Sequence, residues 1–316
     1  MLIVKRLNNY GKDRPGSVAA LGVFDGLHLG HRAILGKLTA VARRLRHDSV
    51  TVTFDPPPQS VLSPGKTPGF LTSPEEKERL LETAGVDVLA VIKFSQEVAS
   101  LSPEDFVERI LVGQLHVSHA VCGSDCGFGR GRSGNLGLLR KLGRRHGFKV
   151  TEVKPRRLAG QKISSTAVKE ALLRGELGKA NRMLGRPYSI PGMVVKGQGL
   201  GREMGYPTLN LRPHYPLKLI PASGVYAAAA RVGKAALGGM LYIGDRPTVG
   251  GRGLSIEFHS LEGRPPRGTG RIEVSLFEYL RPDRRFHGLG ELAKAIGRDA
   301  VRAGLRLRKT RKTRLI

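Results

Sequence analysis

The run Gly22-Val-Phe-Asp-Gly-Leu-His28-Leu-Gly30-His31 sets two histidines among glycines. Val18 to Val23, before and into it, is a short apolar stretch that reads as a buried strand. After it, Ile34, Leu35, Leu38 and Val41 recur at helical spacing. The spacing therefore predicts strand, tight turn and helix, with both histidines at the turn. A helix N-terminus offers free backbone N–H groups and the positive end of a dipole, which suit a phosphate. Glycines let the backbone approach a ligand closely. His28 and His31 add donors, and as imidazolium they add charge, since free histidine titrates near pH ~6.5. Phosphoryl and nucleotidyl transfer depend mainly on positioning and charge stabilisation. Gly22, Phe24, Asp25, His28, Gly30 and His31 are thus candidate nucleotide-site residues. The same residues also fit a helix start with no chemistry.

Other clusters carry similar parts. Gly123-Ser-Asp125-Cys-Gly-Phe128-Gly-Arg130-Gly-Arg132-Ser-Gly134 is a glycine-rich loop whose two arginines can face phosphates. Ser164-Ser165-Thr166 precede a helix, and three hydroxyls in a row exceed what a cap needs; Lys169 follows with a point charge. Gly197, Gly199, Gly201 and Arg202 form a second glycine loop suited to phosphate. Thr208 and Asn210 share a strand face at period two and offer neutral oxygens suited to Mg²⁺ on ATP phosphates. His116, His119, Cys122 and Cys126 invite a zinc reading. Strand alternation turns His119 and Cys122 to opposite faces, and there is no paired C-x-x-C, so a core strand ending in a loop is expected.

The elements that position these groups change character along the chain. Ser49–Phe54 and Val86–Phe94 read as strands, and Ser73-Pro74 and Ser102-Pro103 open helices. Alternating strands and helices imply a parallel sheet covered on both faces. Past the turn Leu184-Gly-Arg-Pro-Tyr188 come short β-type runs rich in glycine, and the domain boundary is expected there. A last helix is expected over Leu289–Ala303, with the basic stretch from Arg306 as a solvated tail.

The chain has 316 residues, enough for two domains, with 40% hydrophobic and 25% charged residues. The apolar run at the N-terminus is too short for a signal peptide, and no run reaches the ~18 apolar residues of a membrane span. Two cysteines make no disulfide framework. A cytoplasmic, soluble protein without membrane contact is expected. Lys and Arg number 53 against 26 Asp and Glu, a net charge of +27 that attracts polyanions. Aromatics are 5% and no aromatic-rich RNA-binding pattern accompanies the charge.

Gly22 to His31 resembles the bacterial bifunctional riboflavin kinase/FMN adenylyltransferase (FAD synthetase) family. About eight motifs agree in order over nearly the whole chain. Among them are the Gly123–Gly134 loop, Ile-Ser-Ser-Thr at 163–166 and Gly-Tyr-Pro-Thr208-Leu-Asn210. Ile243-Gly-Asp-Arg-Pro-Thr248 and Ser255-Ile-Glu257-Phe-His259 continue the series. The resemblance implies an α/β, Rossmann-like nucleotidyltransferase domain over 1–186 and a mainly β-barrel riboflavin kinase domain over 187–316. It implies phosphorylation of riboflavin to FMN with Glu257 as base, then adenylyl transfer from ATP to FMN at His28 and His31. Riboflavin, FMN, ATP and Mg²⁺ are the implied partners. The chain departs from the family at Pro57, where histidine is usual, and at Ala167, where an arginine is expected to contact the triphosphate. Arg264-Pro-Pro-Arg replaces the usual Asp-Leu-Tyr-Gly. These departures and the charge also fit two rivals: a kinase with a silent adenylyltransferase half, and a basic RNA-associated protein on a degenerate scaffold.

Overall fold

The structure, a computed structural model, describes all residues except 8–9, 11–13, 15, 66–68, 196–207, 234, 249–250, 264–269, 285 and 313–316. The chain forms two compact units, Met1–Ser165 and Thr166–Ile316.

The first unit is a six-stranded parallel sheet. Its strands are β1 (Leu2–Val4), β2 (Ser17–Leu21), β3 (Asp48–Asp55), β4 (Val88–Lys93), β5 (Val117–Gly123) and β6 (Lys149–Val153), in the order β1-β4-β3-β2-β5-β6. Near-continuous burial along β2 and β3 is what a parallel sheet with two covered faces requires. The crossovers carry α1 (Leu29–Leu45), the short α2 (Pro58–Leu62), α3 (Pro74–Thr83), α4 (Gln96–Ser100) and α5 (Pro103–Asp105). α5 continues as a π-helical stretch over Phe106–Val112; α6 (Leu136–His146) follows β5. From β2 the chain moves outward through β3 and β4, then returns to place β5 on the other side of β2. That reversal makes a crevice at the carboxyl ends of β2 and β5, where open α/β sheets bind ligands. A two-stranded ribbon, β7 (Arg157–Leu158) with β8 (Gln161–Lys162), completes the unit.

The second unit begins with α7 (Ser165–Leu173) and α8 (Leu177–Leu184). Six antiparallel strands then close a barrel: β9 (Tyr188–Val195), β10 (Thr208–Pro213), β11 (Gly224–Val232), β12 (Ala235–Thr248), β13 (Gly251–Ser260) and β14 (Arg271–Pro282). Their order is β10-β13-β12-β11-β14-β9, with β9 also paired to β10. Ala227–Ala230 on β11 are buried on both faces, one toward the barrel interior and one under the last helix, α9 (Leu289–Lys312). That double burial explains an alanine run in place of alternation. α8 is tied to the barrel by Asn181, whose side chain donates to the Leu276 carbonyl (2.9 Å) and accepts from Tyr188 N (2.8 Å).

The expected tail is corrected here. α9 continues through Arg306 to Lys312, because Leu307 is buried against Ala229 and Phe277 and Arg306 pairs with Glu278 at 3.3 Å. A single buried leucine inside the basic run, Leu307, carries the helix past Ala303. The glycine loop holding Gly197, Gly199, Gly201 and Arg202 lies outside the described residues, as does the stretch from 264 to 269.

Candidate active sites

In the first unit the turn after β2 forms as its sequence indicates. His28 is the N-cap of α1, and its Nδ1 accepts from the His31 backbone N at 3.2 Å. With Nδ1 accepting, the proton of the neutral ring sits on Nε2. The two imidazoles stack at 3.7 Å, and Phe24 stands edge-on to His31 at 5.2 Å. Gly30 makes this stack fit, since a Cβ there would come within 3.0 Å of the His28 ring. His31 departs from the expected imidazolium. Burial, then His28, then the Lys77 ammonium hold its pKa well below the ordinary value, so it stays neutral at pH 7.

Asp25 is buried and serves the loop: its Oδ1 accepts from Leu71 N (2.7 Å) and Thr72 N (3.2 Å). Gly22 N donates to the Val52 carbonyl at 3.1 Å, ending β2 against β3. Ser165 Oγ donates to the Asp25 carbonyl at 2.9 Å, which brings the Ser164–Ser165 turn beside the histidine turn. Thr166 is exposed in the first turn of α7, while Ala167 and Lys169 are buried. The loop after β5 reaches the same crevice. Asp125 pairs with Lys162 at 2.7 Å, which holds its carboxyl below the usual range. Arg130 and Arg132 are exposed, and Arg132 donates to the Asp125 carbonyl at 3.3 Å. Gly129 takes φ +70° where a Cβ would strike the Pro103 backbone at 2.6 Å, so that position admits only glycine. In place of a zinc site, His119 pairs with Thr151 at 2.7 Å. A hydrogen bond between Cys122 and Cys126 pushes the first thiol up and the second down.

In the barrel, register assembles the second site. Thr208 lies opposite His259 and Asn210 opposite Glu257; on the other side Glu257 faces Tyr242 and His259 faces Met240. Directly opposed residues share a face. Glu257 is 7% exposed and held at both oxygens. Ser255 Oγ donates to Oε1 at 2.7 Å and Thr208 Oγ1 to Oε2 at 3.3 Å. Thr208, Glu257 and His259 line a cavity of about 280 Å³ whose apolar wall includes Val225, Met240, Phe286, Leu292 and Ile296. Arg284 lies over the Phe286 ring at 4.6 Å, and Arg281, bonded to Asp299 at 2.9 Å, lies over it at 5.4 Å. Sequence reasoning missed Arg281, Arg284, Phe286 and Asp299 as cavity residues. The run Leu280–Phe286 was visible, but nothing in its spacing says that it folds back over the barrel.

The two folds together define the class, a nucleotide-using transferase with an α/β unit and a barrel unit in one chain. A FAD synthetase family model matches residues 11–167, and a riboflavin kinase family model matches 184–306. The bifunctional riboflavin kinase/FMN adenylyltransferase of Escherichia coli (strain K12) is 36% identical over 307 residues, covering 96% of this chain and 97% of that protein. Its namesake in Listeria monocytogenes is 37% identical over 286 residues, covering 89% and 90%. A crystal structure described as a macrolide-efflux protein from Streptococcus pneumoniae is 28% identical, with TM-score 0.85 over 94% of this chain and 96% of that one. No helix among the described residues here is long and apolar enough to cross a membrane. The chain belongs to the bifunctional riboflavin kinase/FMN adenylyltransferase family.

Proposed function

We propose that the barrel unit moves the γ-phosphate of ATP to the terminal ribityl hydroxyl of riboflavin, and that the α/β unit joins the resulting FMN to the adenylyl group of ATP. FAD and pyrophosphate are the final products, made in the cytoplasm. The observation that carries this reading is the register of β10, β12 and β13. It brings one doubly held carboxylate and the Thr208 hydroxyl together at an apolar cavity, with Asn210 opposite that carboxylate in the neighbouring strand. The cavity wall suits a flat, largely apolar ring system such as a flavin.

In the kinase step Glu257 takes the ribityl proton as the hydroxyl oxygen bonds to γ-phosphorus and the β–γ bridge breaks. Ser255 and Thr208 fix the carboxylate in place. The Thr208 hydrogen is directed to Glu257, which turns the hydroxyl lone pairs outward, and with the Asn210 oxygen these are hard donors suited to Mg²⁺. An Mg²⁺ held by these oxygens would supply charge neutralisation for the triphosphate. In the second step an FMN phosphate oxygen attacks the α-phosphorus of ATP and the α–β bridge breaks. The free N–H groups of α1, His28 Nε2–H and neutral His31 stabilise the charge that forms. Arg130, Arg132 and Ser164 are assigned to the same nucleotide site.

The test is the full chain with riboflavin and Mg–ATP, with FMN and FAD resolved by chromatography. Both should accumulate, and supplied FMN should give FAD. FMN without FAD would identify a silent α/β unit. Neither product, with salt-sensitive RNA binding, would establish the RNA-associated alternative.

A further inference from the structure

α3 is fixed at its start by a reciprocal capping box. Ser73 Oγ accepts from Glu76 N at 3.2 Å, and the Glu76 carboxylate accepts from Ser73 N at 2.8 Å. Asp25 holds the residues just before it from the turn after β2. Lys77 follows the box immediately. Its Nζ reaches Thr53 Oγ1 near the end of β3 at 3.5 Å, and Thr53 in turn donates to the Val23 carbonyl at 3.4 Å. The ammonium therefore stands at the carboxyl ends of β2 and β3.

Lys77 makes no ion pair among the described residues, and that single long contact with a neutral hydroxyl is its hydrogen bond. Burial lowers its pKa below the ordinary lysine value, against the pull of Asp25, Asp55 and Glu78. Its charge also acts on His31, whose Nδ1 is buried without a hydrogen-bond partner. Two neighbouring polar groups thus have unused hydrogen-bonding capacity at one place. Desolvation of the ammonium outweighs the attraction of Asp25, Asp55 and Glu78, none of which is in ion-pair contact with it, and an oxyanion that arrives with substrate offsets that cost.

We infer that Lys77 binds phosphate in the adenylyl-transfer site, its ammonium taking a non-bridging phosphate oxygen beside His31. The inference rests on the adenylyltransferase reading of the α/β unit. The oxygen belongs to ATP or to FMN, which share this chemistry.

The two roles open to a partly buried lysine have opposite signs. A structural lysine stabilises the free protein. A phosphate-binding lysine whose desolvation outweighs the surrounding carboxylates destabilises it. Lys77→Met keeps the stem and removes the charge; Lys77→Arg keeps the charge. Both are made in the full chain. FAD formation is measured from supplied FMN and ATP, FMN formation in the same sample reports the barrel unit, and calorimetry follows melting. Lys77→Met should lower FAD formation by about 10²-fold or more, as loss of one preorganised donor does. Its melting temperature should be unchanged or higher, and Lys77→Arg should recover part of the activity. A raised KM for ATP assigns the oxygen to ATP, and a raised KM for FMN assigns it to FMN. The inference is overturned if Lys77→Met forms FAD within threefold of the parent, or if its loss comes with a lower melting temperature. A parent chain that makes no FAD would instead reject the reading of the unit.

Discussion

Glu257 is oriented by two hydroxyls from the protein itself, Ser255 and Thr208. Glu257→Gln preserves that shape and removes the base. FMN formation should fall by ~10²–10⁴-fold while FAD formation from supplied FMN persists; kinase activity near the parent's would reject the assignment. His31 supports a second residue-scale expectation. Its folded pKa lies below the unfolded value of ~6.5, so below that pH the unfolded chain binds more protons than the folded one. The α/β unit should therefore lose stability as pH falls from about 6.5 toward the folded pKa. In His31→Gln that part of the acid sensitivity should vanish, and equal slopes of melting temperature against pH in both proteins would refute it. What the sequence made legible at this scale was local. The histidine turn could be read because its glycines, cap and helix lie within one short stretch. Lys77 could not, since within Glu75-Glu76-Lys77-Glu78 it reads as a solvated helix face. Only the folding of the unit, which sets the start of α3 near the end of β3, brings it to Thr53.

At the scale of elements, the long parallel strands and the Ser-Pro helix starts were readable because burial and capping each leave a periodic or local trace. β1 was not. Leu2 and Ile3 are exposed on a three-residue edge strand, and only pairing with β4 makes them a strand. The barrel cavity was legible in its strand motifs and illegible in its cover, because Arg281–Phe286 act through a return of the chain and not through spacing. The end of α9 shows the same limit, since Leu307 sits alone in a basic stretch. Leu307→Ala removes a buried side chain packed on Ala229 and Phe277 and should destabilise the barrel unit by roughly 2–3 kcal/mol. Removing residues from Lys309 onward leaves that contact intact, so the truncated chain should melt near the parent and keep FMN formation. A larger loss from the truncation than from Leu307→Ala would show that the last turn of α9, not Leu307, secures the helix.

For the whole molecule the open question is where one unit ends and the other begins. The turn at Gly185-Arg-Pro suggests a division at 186, and the family models leave 168–183 between them. Contacts divide the chain earlier, after Ser165. We place α7 and α8 with the barrel for a physical reason. Ala222 N donates to the Leu172 carbonyl at 3.1 Å, and Asn181 bonds both Leu276 and Tyr188. Cutting at 186 leaves Ala222 N and the Leu276 carbonyl without these partners, and each such buried group costs about 1–3 kcal/mol. It also strips the covering face formed by Leu172, Leu177, Met183 and Leu184, all of which are buried. A piece comprising 166–316 should therefore fold and make FMN from riboflavin and Mg–ATP. A piece comprising 187–316 should melt lower or fail to fold, although it contains every kinase motif. Both pieces can be compared by circular dichroism melting and by FMN yield. Equal stability and equal FMN formation would return the boundary to the turn before Tyr188.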